Sequence, residues 1–354
     1  MKLPRITILA TLLLTAPAAA QLQITPPATI PSPSAEKQKP KPPPPAKKKE
    51  AAPAPKPSPS PKPALPATVI PAPAADTPGV DLVFGAYQRG QYKTAFDLAT
   101  ARAATGDPKA MTMLGELYSN AMGIRRDYAK ALDWYKRASD AGDREAMFAL
   151  AMLRMSGRGG PVDKGEAVKL MASSAKLGEP KAAYNLALLY LDGQTLPQDV
   201  KRSAELLRQA ADAGLPEAQY ALATFYKEGT GVPKDAERAV RLLQAASLAD
   251  NVDAEVEYAI AMFNGTGTPK NQPAAVALLR KASRQGSAIA QNRLAWVLIN
   301  GMGTSVDKVE GFKWHLVAKT AGKGDPELDK QLSDLPAEDR SKAEAAARKW
   351  LGTK

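Results

Sequence analysis

From Val80 onward, apolar and polar positions recur with helical spacing. In Ala110 to Tyr118, Leu114 and Tyr118 are four apart with Met111 and Leu117 beside them, the stripe of a helix with one buried face. Ser119 to Arg126 interrupts the stripe with a glycine-bearing loop. Asp127 then stands where a helix N-cap belongs, its carboxylate able to accept from the free N–H groups of the next first turn. Ala131, Leu132, Trp134, Tyr135 and Ala138 give a second apolar stripe, and Gly142 ends it as the residue that most readily takes a left-handed backbone. The segment reads as two helices folded back on one another.

The pattern is then written again and again. Ala110, Ala146, Ala182, Ala218, Ala254 and Ala290 are each 36 residues apart. Gly106, Gly142, Gly178, Gly214, Gly286 and Gly322 keep the same period, with Asp250 in the remaining slot. Asp127, Asp163, Asp199, Asp235, Asn271 and Asp307 form a capping column, and Gly157, Gly193, Gly229, Gly265 and Gly301 form a loop column headed by Ala121. A column of small residues (Ala131, Ala167, Ser203, Ala239, Ala275, Gly311) and Gly115 on the preceding helix allow close crossing of the two helices. One hairpin cannot bury its apolar faces alone, so neighbours must stack. The predicted fold is all-α: a solenoid of about seven helix-turn-helix units over 80–328. A polar capping helix falls within 329–354, read from Ala337 to Trp350, with Trp350 and Leu351 laid on the last hairpin.

These residues resemble the Sel1-like repeat, a relative of the tetratricopeptide repeat with a longer inter-helix loop. The resemblance is carried by Leu114-Gly115-x-Leu117-Tyr118, Gly231-Val-Pro-Lys-Asp235, Ala131-Leu-Asp-Trp-Tyr135 and the closing Ala-x-x-Gly, over about residues 81–328. The first unit departs from the pattern with a loop five residues shorter, the last carries two extra residues after Gly322, and Arg154 stands in the tyrosine column. The resemblance implies a binding scaffold whose first helices line a concave face, working in envelope assembly, polysaccharide export or regulation of a membrane sensor. Some family members carry paired cysteines linked to antibiotic binding; this chain has none, so that property does not carry over.

Composition separates the repeats from what precedes them. Of the 31 prolines, 19 fall between Gln21 and Gly79. Proline fixes φ and removes a donor, so 21–79 is expected to be a disordered or polyproline-like Pro/Ala/Lys linker. Residues 1–20 have the three parts of a secretory signal: a basic start, an apolar run from Ile6 to Thr15, and Ala18-Ala19-Ala20. Cleavage near Ala20 would give a periplasmic or secreted protein with no permanent membrane anchor. The net charge of +12 is concentrated in the first 80 residues, where ten basic and three acidic groups occur. The repeats themselves are nearly balanced, which argues against a nucleic-acid partner.

Few enzyme chemistries fit. Cysteine is absent and His315 is the sole histidine, so thiol catalysis, a serine triad and a His- or Cys-rich metal site are excluded or confined to one residue. His315 shares a column with Tyr135, Met171, Leu207, Leu243 and Leu279, a core-facing position. Gly229-Thr-Gly231 and Gly265-Thr-Gly267 lie between helices and lack a following Lys-Ser/Thr, so they read as turns and not phosphate loops. No catalytic, cofactor or metal residues are assigned.

What remains is the surface formed by the columns of Thr112, Glu116 and Ser119. Down the array they hold Phe148, Met152 and Met155; Tyr184, Leu188 and Leu191; Tyr220; Ile260 and Phe263; and Trp296. Such an apolar stripe marks either a binding groove or side chains packed between repeats. The expected function is a non-enzymatic scaffold holding a protein or peptide partner on the concave face. The alternative is a binder of an envelope polymer, peptidoglycan or exopolysaccharide.

Overall fold

The computed structural model describes residues 81–352. The signal segment and Pro-rich linker read from the sequence lie outside the described residues. Among those described, all regular structure is helical. Seven antiparallel pairs follow one another: α1 (Leu82–Gln88) with α2 (Tyr92–Ala104), α3 (Pro108–Asn120) with α4 (Tyr128–Asp140), α5 (Arg144–Ser156) with α6 (Lys164–Lys176), α7 (Pro180–Asp192) with α8 (Val200–Asp212), α9 (Pro216–Glu228) with α10 (Ala236–Leu248), α11 (Val252–Asn264) with α12 (Gln272–Arg284), and α13 (Ala288–Asn300) with α14 (Lys308–Thr320). Each helix packs on the next, giving an α-solenoid.

Capping sets the register. Asp127, Asp163, Asp199, Asp235, Asn271 and Asp307 each accept from a backbone N–H in the first turn of the second helix. Each such cap is worth about 1 kcal/mol. The same residues close the inter-helix loop through their own N–H, as when Asp235 N donates to Tyr226 O at 2.9 Å and Asp307 N to Leu298 O at 2.9 Å. Five of the loops begin on a left-handed glycine, but α3 ends on Ala121 at φ 58. A side chain in that region costs about 1 kcal/mol. Ala121→Gly is therefore expected to stabilise the array by about 0.5–1 kcal/mol, read from thermal or denaturant melting.

The loops also lock one repeat to the one before. A Cβ on Gly159, Gly231 or Gly267 would lie 2.3, 2.5 or 2.3 Å from the carbonyl oxygen of Tyr128, Val200 or Ala236, the first residue of the previous second helix. The Gly-Thr-Gly strings are thus turns whose second glycine permits backbone-to-backbone contact between repeats. Within a repeat, a Cβ on Gly115 would meet the Tyr135 ring at 2.6 Å, so a large ring on one helix is matched by a missing side chain on the other.

The C-terminal end holds two helices where the sequence suggested one. α15 (Pro326–Ser333) is started by Asp325, which caps Glu327 N and Leu328 N, and α16 (Ala337–Leu351) packs on α14. Trp350 meets Trp314 edge-on at 4.9 Å, with Lys313 Nζ 4.1 Å from the Trp314 ring centre and 5.3 Å from that of Trp350. Trp350 and Leu351 nevertheless keep exposed faces. No helix among the described residues is long and apolar enough to cross a membrane.

Candidate functional site

The first helices α3 and α5 touch directly, and with the start of α7 they wall a groove of about 950 Å³. Of the groove columns singled out in the sequence, it brings together Thr112, Glu116 and Ser119 with Phe148 and Met152. Met152 is 40% exposed, and Leu188, on the next first helix, is 37% exposed. Phe148, Met155, Tyr184, Leu191 and Tyr220 are half-buried, packed by one edge against the central core.

Toward the C-terminal end the same columns are closed. Ile260, Phe263 and Trp296 are buried, Ile260 being only 4% exposed, so the open surface does not extend to them. Side-chain bridges join elements here. Glu257 on α11 accepts from Tyr220 Oη at 3.4 Å and from Lys227 Nζ at 2.8 Å, both on α9. Trp296 Nε1 donates to Asp325 Oδ2 at 2.9 Å, which ties α13 to the cap of α15. Burial, then the Glu257 carboxylate, pushes the Tyr220 hydroxyl well above its ordinary range. The two readings of the stripe thus hold at different places along the array, open at Met152 and Leu188 and closed at Ile260, Phe263 and Trp296.

Charges organise the open groove. Arg144 approaches Glu179 at 3.8 Å and donates to the carbonyls of Leu177 and Gly178. Glu116 accepts from Tyr87 Oη at 3.2 Å. Burial and that carboxylate push the Tyr87 hydroxyl up to about 12. At one edge Arg126 and Arg158, from successive loops, both lie over the Tyr128 ring, at 5.8 and 5.6 Å. Sequence reasoning passed over this cluster because Arg158 lies in a different column from Arg126 and Tyr128, and in the next repeat.

His315 is fully buried, in the core-facing column where the sequence placed it, but it is more than filler. Its Nε2 is 2.9 Å from Asp329 Oδ1 on α15, which also takes Lys319 Nζ at 2.7 Å. His315→Leu should cost about 1 kcal/mol, the net value of one such hydrogen bond. Loss of a biological activity at unchanged stability would give His315 a role beyond packing. The Lys319 ammonium first, then His315, holds the Asp329 carboxyl below its ordinary value. A carboxyl lowered in the fold stabilises above its unfolded value and stops doing so as pH falls through the folded one. The stability gap between Asp329→Asn and the parent should therefore close in acid melts.

Among the described residues no group of His, Asp and Glu side chains has the geometry to hold a metal ion. The Sel1 repeat family matches six consecutive segments, 108–143, 144–179, 180–215, 216–251, 252–287 and 288–323, more than half of the chain. The chain belongs to the Sel1 repeat family. The Sel1 fold is that of a protein-interaction scaffold. Among solved structures it is similar to a Sel1 repeat protein from Oxalobacter formigenes, 26% identical with TM-score 0.61, over 68% of this chain and 98% of that one. It is also similar to c5321, a protective antigen present in uropathogenic Escherichia coli strains that displays an SLR fold. That match is 22% identical with TM-score 0.51, over 73% of this chain and 64% of the other, and speaks for the fold alone. No curated protein matches this chain.

Proposed function

We propose that this Sel1 repeat protein is an exported, non-enzymatic adaptor of the cell envelope that holds a protein or peptide in the groove between α3, α5 and α7. The observation that carries the reading is the exposure of Met152, backed by Phe148, in a groove of about 950 Å³ on the first helices. An accessible apolar side chain in a concave site gains free energy by leaving water against a partner. Export rests on the three-part character of residues 1–20.

Photo-crosslinkers at positions 152 and 188 should capture discrete protein partners in cells, and one at the exposed Lys201 on α8 should not. Equal capture from all three positions would reject the groove. Co-sedimentation with insoluble cell wall, with no crosslinked protein, would favour the envelope-polymer reading. Protein recovered from the periplasmic fraction should begin at Gln21, and an intact Met1 chain retained in the cytosol would reject export.

A further inference from the structure

Glu116, Glu145 and Glu179 also line the groove, but none of them pairs with the two arginines at its edge. Arg126 precedes α4 and Arg158 lies in the loop after α5, so separate repeats supply them, yet both guanidinium groups converge on Tyr128 and both line the groove. Neither forms an ion pair among the described residues, whereas Arg154, four residues before Arg158, pairs with Glu166 at 3.1 Å. An exposed arginine is usually just solvated. Here the shared ring limits where both can point, and a guanidinium held in place loses less freedom on gripping a carboxylate. Phe148 and Met152 form the apolar wall of the same groove.

We propose that the groove selects a peptide segment with Asp or Glu beside an aliphatic or aromatic residue. The carboxylate is held by Arg126 and Arg158, and the apolar side chain lies on Phe148 and Met152. This rests on the peptide-binding reading above and specifies the partner's chemistry. The charges supply selectivity and a salt-sensitive encounter, while the apolar contact supplies most of the affinity.

The test is selection from a phage-displayed random peptide library against the full chain, against an Arg126→Gln/Arg158→Gln double variant, against Met152→Glu, and against Arg125→Gln as a control for lost surface charge. Each variant is first checked for unchanged melting. Peptides selected on the parent and on Arg125→Gln should be enriched in Asp or Glu next to apolar residues. On the double variant the acidic preference should vanish and the apolar preference remain, and a chosen acidic peptide should bind about tenfold more weakly. Apolar peptides without acids, or an acidic preference that survives the double change, would overturn this inference and leave peptide binding in the groove intact. A library that returns no binders, or binders indifferent to Met152→Glu, would overturn both. Tighter binding of a sulfated polysaccharide than of any selected peptide, lost in the double variant, would overturn the peptide in favour of an anionic polymer.

Discussion

Gly267→Ala is expected to cost about 3 kcal/mol or more, a loss at the severe end for a single methyl group. The residue sits at φ 69 in the loop after α11, and its Cβ would lie 2.3 Å from Ala236 O and 3.1 Å from Glu237 N. Those are backbone atoms in the first turn of α10, and no side-chain rotation can move them aside. Gly286→Ala provides the matched comparison. It has φ 94 but nothing within 4 Å of the new Cβ, so it should cost about 1–2 kcal/mol, the left-handed penalty alone. Denaturant melts of the two variants separate conformational cost from inter-repeat contact. Hydrogen exchange in Gly267→Ala should speed up first in α10 to α12, because a solenoid is held by nearest-neighbour interfaces. Equal destabilisation by the two changes would mean the loop can peel away without loss.

Ile260→Glu should be comparably damaging, whereas Met152→Glu and Leu188→Glu should be nearly silent in stability. Ile260 is buried on a helix that already carries the buried acids Glu255 and Glu257. Those two are answered by Lys281 Nζ, 2.5 Å from Glu255 Oε1, and Lys227 Nζ, 2.8 Å from Glu257 Oε2. A third carboxylate would enter without a lysine of its own. The cost should be on the order of 3–5 kcal/mol, the size of leaving one buried charge uncompensated. Met152 and Leu188 keep access to water, so their Glu variants should stay within about 0.5 kcal/mol of the parent. Partner capture should nonetheless fall in Met152→Glu, where a charge would be desolvated against an apolar surface. Early melting of Met152→Glu and Leu188→Glu would show that the stripe is structural along its whole length and would move binding to the loops.

The sequence alone determined what local capping and the repeat period decide. The Asp127 column foretold its own N-caps, since a cap is a contact between a side chain and a backbone N–H three residues on. The 36-residue period dictated stacked hairpins, because a lone hairpin leaves its apolar face wet. The core-facing place of His315 followed from its column. Tertiary structure decided what depends on which side chains meet once the helices have packed. Met152 and Ile260 occupy the same column three repeats apart, yet one meets solvent and the other is enclosed. The division of α15 from α16, the seat of Asp329 under His315, and the meeting of Arg126 and Arg158 over Tyr128 also belong to this class. A periodic sequence states that each repeat packs on the next, while the particular side chains that neighbouring helices bring against a position decide whether it stays open.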